Sequence, residues 1–100
     1  MTAPPPMPKP PKPSADLGRA ITHLAEKDWQ AAHEIVQHDE STLAAWLHGI
    51  VHTLEGDLDN ARYWYRRAKR AFPGPEAVEH EIAEARRTLG GPASAPQEKA

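Results

Sequence analysis

Two histidines and a glutamate stand at spacings that bring their side chains together if they lie on a helix. His48, His52 and Glu55 occupy positions i, i+4 and i+7, and at about 3.6 residues per turn such positions share one face. Two imidazoles one turn apart can chelate a zinc-like cation, with the glutamate carboxylate as a third ligand. Gly49 stands where an HExxH metalloprotease motif requires glutamate. The structural alternative is that both histidines are hydrogen-bonded packing residues of a central helix, so no metal site is assigned from the spacing alone.

A second pair of candidates comes from two similar helical units. His33 and Arg62 occupy equivalent places in these units, each directly after an alanine expected in the core. If the units pack side by side, both side chains point into the cleft beside the two histidines above. Such a pocket is cationic enough for a carboxylate or phosphate, which arginine binds bidentately. The competing expectation is that Arg62 pairs with Glu55 or Asp59 and that His33 is half exposed. The candidate ligand-binding residues are therefore His33, His48, His52, Glu55 and Arg62.

Residues 62–67, RYWYRR, interleave basic with aromatic side chains. Base stacking combined with phosphate contacts is how proteins hold single-stranded nucleic acid. These residues, however, point around the whole helix, with Trp64 and Tyr65 expected in the core and Tyr63 on the outer face. Because the formal net charge is -2, we interpret the basic residues as a solvated helix face and do not predict a nucleic-acid partner.

No catalytic signature is present. The chain has no glycine-rich phosphate loop after a strand and no GxSxG motif, and it contains no cysteine, which excludes a thiolate nucleophile, a thiolate metal site and a disulfide scaffold. Histidine can act as a general base near neutral pH, but residue type alone does not make a catalyst. We assign no catalytic residue and no cofactor, and the sequence favours a non-enzymatic role without excluding an enzyme.

The elements that must position these side chains are helical, because apolar residues recur at i, i+3, i+4 and i+7. No segment alternates as a half-buried strand does. The predicted fold class is all-α, a small antiparallel bundle of about five helices. The first helix is predicted to start after Ser14 or Asp16 and the second after Asp28. The third is predicted to run from Ser41 to Gly56 and the fourth from Asp57 to Pro73. The fifth is predicted to start at Pro75 and to end at Gly90-Gly91-Pro92.

The two ends of the chain differ in composition from its middle. Residues 1–13 are mostly proline, and residues 90–100 are rich in small and charged residues. Neither stretch can bury apolar surface to offset the entropy cost of ordering. We therefore predict a disordered proline-rich tail at 1–13, a helical domain at 14–89 and a second disordered tail at 90–100. The PxxP spacings lack the basic anchors of SH3 ligands, so the first tail is interpreted as a spacer.

The chain carries no sign of a membrane or secreted protein. No apolar stretch approaches the roughly 20 residues that cross a bilayer, and the N-terminus lacks the apolar run of a secretory signal. The absence of cysteine also suits a reducing compartment. We therefore expect a cytoplasmic protein without a membrane partner.

An internal repeat runs through the helices. Residues 27–32, KDWQAA, align with residues 56–61, GDLDNA, and each segment follows one apolar helix and opens another. The second unit, residues 42–73, resembles a tetratricopeptide repeat, whose small, aromatic and terminal-proline positions it matches with Gly49, Ala61, Tyr65, Ala68 and Pro73. The chain also resembles small uncharacterised bacterial proteins that carry the phrases AAHEIVQ and EGD…NARYWYRRA. The resemblance implies two tetratricopeptide-like hairpins with a capping helix.

Two functional hypotheses remain open from the sequence. The first is a non-enzymatic interaction module that binds a protein partner or a second copy of itself, because a short repeat array leaves an apolar end unburied. Its candidate contact residues are Trp46, Ile50 and Tyr63. The second is a protein that binds a small anion or a metal, and is possibly enzymatic, through the histidine, arginine and glutamate candidates between the hairpins. Convergence of those side chains on an open pocket favours the second hypothesis.

Overall fold

The computed structural model describes the backbone of residues 16–94 and the side chains of residues 16–89. This part of the chain contains five α-helices and one short 3-10 helix, and no strand. The helices are α1 Leu17–Ala25, α2 Trp29–Val36, α3 Thr42–Glu55, α4 Leu58–Arg67 and α5 Val78–Ser94, with the 3-10 helix at Pro75–Ala77 directly before α5. The predicted all-α bundle of about five helices is confirmed. None of the helices in this range is long and apolar enough to cross a membrane.

The last helix is longer than predicted. It continues to Ser94 instead of stopping at Gly90-Gly91-Pro92. Glycine weakens a helix by only about 1 kcal/mol relative to alanine, and a proline near a helix end removes one backbone hydrogen bond. These residues therefore lower the stability of the final turns without forbidding them. Ser14, the predicted tail at 1–13 and the last six residues lie outside the described part of the chain.

Side-chain oxygens cap three of the helices where the sequence predicts it. The capping bonds are from the Ala31 N–H to Asp28 at 3.3 Å, from the Ala44 N–H to Ser41 at 3.1 Å and from the Asn60 N–H to Asp57 at 3.4 Å. Helix α1 differs, because Asp16 precedes it without a side-chain capping bond and its carboxylate accepts from Arg19 at 3.3 Å. Local hydrogen-bond chemistry thus sets most helix starts.

The two helical hairpins turn through the same backbone geometry. Gly56 has a φ of 91° between α3 and α4, and Lys27 has a φ of 65° at the equivalent place between α1 and α2. In each turn the N–H of the following aspartate donates to the carbonyl of a histidine five residues earlier, at 2.9 Å and 2.8 Å respectively. This is the six-to-one bond of a Schellman motif, which closes a helix on a left-handed residue. The repeat seen in the sequence therefore has a counterpart in the turns.

Helix α3 occupies the centre of the bundle and contacts each of the other four helices. One side of it meets α5, which also lies against α1. The carboxylate of Glu81 on α5 accepts hydrogen bonds from the indole N–H of Trp46 at 3.0 Å and from the hydroxyl of Tyr65 at 2.8 Å. Ile82 and Ala85 add apolar contacts to the shared core. The other side of α3 faces α2 and α4, and it carries the histidines.

The packing of α5 overturns two of the predicted partner contacts. Trp46 is 2% exposed and Ile50 is 0% exposed, so neither lies on a free apolar end of a repeat array. The expectation that both are exposed is wrong, because α5 covers Trp46 and because Ile50 lies in the common core. Tyr63, the third predicted contact, is 42% exposed on α4.

Candidate metal centre and adjoining cavity

Three imidazole rings meet on the side of α3 that faces α2. The ring centroids of His33 and His48 are 4.8 Å apart, those of His33 and His52 are 5.7 Å apart, and those of His48 and His52 are 5.1 Å apart. One ring nitrogen from each residue lies within 4.8 Å of the others. The four-residue spacing places two rings one turn apart on α3, and the packing of α2 supplies the third. We call these three residues the histidine cluster.

Burial keeps the middle ring of the histidine cluster uncharged. His48 is 6% exposed, and this burial, followed by the positive charges that His33 and His52 can carry, lowers the pKa of His48 from 6.5 to about 3. Neutral imidazole is the form that ligates a metal. At neutral pH, His48 is therefore already in its ligating form.

A carboxylate orients the outer ring of the histidine cluster. The Nδ1 of His52 lies 2.7 Å from the Oε1 of Glu55, which is assigned as a bond from Nδ1–H to the carboxylate. The Nε2 lone pair of His52 is then left for a ligand. Metal-binding histidines are commonly held in this way by a carboxylate behind them. Glu55 therefore orients His52 in this structure, and its role as a direct metal ligand stays a prediction from the sequence.

Asp57 also lies near this carboxylate, and His52, Glu55 and Asp57 place ligand atoms within 4.8 Å of one another. Asp57 is engaged elsewhere, because its carboxylate accepts from both the side chain and the backbone of Asn60. Those two bonds lower the pKa of Asp57. Helix capping therefore accounts for the carboxylate of Asp57, and the hydrogen bond accepted from His52 accounts for that of Glu55.

Helix α4 contributes Trp64 to the site. The indole ring stacks on His48 with centroids 3.8 Å apart and planes inclined by 5°. The guanidinium of Arg67 lies 5.3 Å from the Trp64 ring centroid and donates to the hydroxyl of Tyr63 at 2.9 Å. The sequence pattern predicts Trp64 in the core and Arg67 on a solvated face. Their i, i+3 spacing, which puts both on one side of α4, was the available signal.

A cavity of about 460 Å³ adjoins the histidine cluster at His48. Val36, Ala45 and Trp64 form its apolar walls, and Arg67 contributes a cation. The turn between α2 and α3, together with the first residue of α3, supplies polar groups from residues 37 and 39–42. His48 therefore belongs both to the cluster and to the wall of a space large enough for a small molecule.

Arg62 does not join this site. Its guanidinium pairs with Asp59 at 3.1 Å and lies 5.5 Å from the centroid of the Phe72 ring. The sequence equivalence of His33 and Arg62 breaks down because α2 is followed by another hairpin, whereas α4 is followed by the loop that carries Phe72. The expectation of a shared cleft with Arg62 is wrong, and the alternative pairing with Asp59 is confirmed. The arginine that borders the cavity is Arg67.

Comparison with protein-family models, with curated proteins and with solved structures gave no match. The resemblance to tetratricopeptide repeats therefore stays a prediction from the sequence. Function has to be argued from the geometry and chemistry of the site.

Proposed function

We propose that this protein binds a divalent transition-metal ion of the zinc type through His33, His48 and His52. The observation that carries the proposal is the convergence of one nitrogen from each ring within 4.8 Å of the others. In a tetrahedral zinc site the Zn–N distance of about 2.1 Å places ligand nitrogens about 3.4 Å apart. The ring nitrogens therefore have to approach one another by up to about 1.4 Å when the ion binds.

The hydrogen bonding of the rings supports ligation over a purely structural role. Packed histidines are ordinarily held by hydrogen bonds from protein groups. In the part of the chain that the structure describes, no hydrogen bond joins a ring nitrogen of His33 or His48 to the protein, and the bond between His52 and Glu55 uses Nδ1. Each ring therefore keeps a nitrogen lone pair that no described protein group occupies.

The charges around the site suit a dication. Three neutral imidazoles leave the charge of the ion uncompensated, and Glu55 places a carboxylate directly behind one ligand. Such a carboxylate raises the basicity of the imidazole it holds. Three protein ligands also leave a fourth position for water or another molecule, as in the open sites of zinc enzymes and unlike the closed sites of zinc fingers.

The interaction-module hypothesis has less support. The burial of Trp46 and Ile50 removes two of its three contacts, and the hydroxyl of the remaining one, Tyr63, is bonded to Arg67. A protein partner, self-association and a cytoplasmic location stay predictions from the sequence, and we favour the metal site over them.

Zinc binding by the full chain, measured by isothermal titration calorimetry, tests the proposal. We expect about one zinc ion per chain with a dissociation constant on the order of micromolar or lower. His33→Gln and His52→Gln should each weaken binding by about tenfold or more, because each removes one ligand. His80→Gln is the matched control, since His80 is exposed on α5 and, among the described residues, lies near the carboxylate of Glu84 alone.

Two results contradict metal binding at this site. One is the absence of stoichiometric zinc uptake by the wild-type chain. The other is an equal loss of affinity in His80→Gln and in the cluster variants, which means that zinc binds to histidines without regard to position. Circular dichroism of each variant establishes that the helices remain folded.

A further inference from the structure

We infer that the cavity beside His48 binds a small monocarboxylate, which ligates the metal held by the histidine cluster and pairs with Arg67. This inference rests on the proposed metal binding and adds to it the chemical class of the second ligand.

The first step is the shared position of His48. The ring belongs to the histidine cluster through its contacts with His33 and His52, and it also lines the cavity. Trp64 covers one face of the ring. A metal ion with three histidine ligands keeps an exchangeable position. Of the three rings only His48 lines the cavity, so the proposed carboxylate reaches the ion from the side of His48. Carboxylate oxygen is an established zinc ligand.

The second step is the state of Arg67. Among the described side chains no carboxylate pairs with it, although Arg62 on the same helix pairs with Asp59. One of its nitrogens donates to the hydroxyl of Tyr63, and a guanidinium has five N–H donors in all. Arg67 therefore keeps donors for the paired oxygens of a carboxylate, which a guanidinium can bind bidentately.

The third step is the character of the walls. Val36, Ala45 and the Trp64 ring give the cavity an apolar side, which suits a ligand with a hydrocarbon or aromatic portion. The volume of about 460 Å³ lies within the range of small-molecule sites, roughly 300 to 1,000 Å³. A carboxylate joined to a small apolar group fits both the charge and the size of this space.

The fourth step is the pair of acidic residues at the rim. Asp39 and Glu40 also line the cavity, and the carboxylate of Asp39 accepts the backbone N–H of Ser41 at 2.8 Å. Their negative charges repel any anionic ligand, and they repel a dianion about twice as strongly as a monoanion, because the Coulomb energy is proportional to the charge. The site therefore favours a singly charged carboxylate over a phosphate dianion.

Titration of the cobalt-loaded chain tests the inference, because tetrahedral Co(II) in place of zinc has visible absorption bands that change when its ligands change. We expect benzoate to shift these bands in a saturable manner, and benzyl alcohol and phosphate to have much weaker effects. Arg67→Gln should weaken benzoate binding by about tenfold and leave the affinity for Co(II) within about twofold. Arg66→Gln is the matched control, since Arg66 is exposed on the same helix and does not line the cavity.

The two steps of this titration separate the two proposals. A chain that fails to bind Co(II) or zinc overturns the metal site and, with it, the carboxylate site. A chain that binds Co(II) while benzoate leaves its bands unchanged, or strips the ion from the protein, overturns the carboxylate site alone. Equal weakening by Arg66→Gln and Arg67→Gln also overturns it, because the effect would then come from the general positive charge of α4.

Discussion

The indole ring of Trp64 lies flat on the imidazole of His48, with the ring centroids 3.8 Å apart. This contact joins α4 to the centre of the histidine cluster and contributes to the burial that holds His48 neutral. The same side chain therefore serves packing, the protonation state of the site and the wall of the cavity.

The metal-free protein should lose stability in mild acid because of His48. Its pKa falls from 6.5 in the unfolded chain to about 3 in the folded one, so the unfolded chain binds the proton first. Stability present above pH 6.5 is then lost towards pH 3, at a slope on the order of 1 kcal/mol per pH unit. His48→Phe keeps an aromatic ring beside Trp64 but cannot titrate, and it should show a shallower slope in urea unfolding at several pH values in EDTA. An unchanged slope in this variant, together with the same slope in His80→Gln, would contradict the prediction.

Gly49 is required by the approach of Tyr65. A Cβ at position 49 would lie 2.5 Å from the Cδ1 of Tyr65 and 3.3 Å from the carbonyl oxygen of Ala61. Tyr65 is buried and bonded to Glu81, so its ring cannot move away freely. Gly49→Ala should therefore destabilise the fold by about 2 kcal/mol, measured by urea unfolding. Gly18→Ala is the control, because its Cβ would meet Leu89 at an ordinary 3.6 Å and alanine favours a helix; it should be neutral or stabilising.

Glu81 ties α5 to the rest of the bundle. Its carboxylate accepts from Trp46 and Tyr65, and the burial of Tyr65, together with the bond to this carboxylate, raises the pKa of the phenol. Glu81→Ala leaves two buried donors without an acceptor and should cost about 2 to 4 kcal/mol. Tyr65→Phe removes a donor along with its bond and should cost about 1 kcal/mol. Thermal or urea unfolding that ranks Tyr65→Phe as the more damaging change would count against this role of Glu81.

Replacing a left-handed residue that carries a Cβ by glycine should stabilise the folded protein. Lys69 has a φ of 62° after α4, a conformation that costs a residue with a Cβ about 1 kcal/mol more than glycine. Lys69→Gly should therefore raise the free energy of unfolding by up to about 1 kcal/mol, and Gly56→Ala should lower it by a similar amount. Lys27→Gly is a less direct test, because Lys27 also pairs with Glu79 at 2.7 Å. Urea unfolding in which Lys69→Gly lowers stability would show that the turn is held by other contacts.

Part of the histidine cluster could be predicted from the sequence. The i, i+4 spacing of His48 and His52 places both rings on one side of α3, and the equivalence of the two hairpins pointed to His33. The contact of Trp64 with His48 was not predictable, because the helical periodicity of α4 shows which residues share a side but not which neighbour that side meets. That Arg67 borders the cavity was not predictable for the same reason, whereas the pairing of Arg62 with Asp59 was one of the two alternatives open from the sequence.

The sequence by itself determined the local features of the fold. Helix periodicity, the capping oxygens of Asp28, Ser41 and Asp57 and the left-handed turn at Gly56 depend on interactions between residues a few positions apart, which a sequence displays directly. Only the tertiary structure decided that α5 covers Trp46 and that rings from α2, α3 and α4 meet around His48. These contacts depend on the angles at which whole helices pack, and those angles come from the summed shapes of many side chains that lie far apart along the chain.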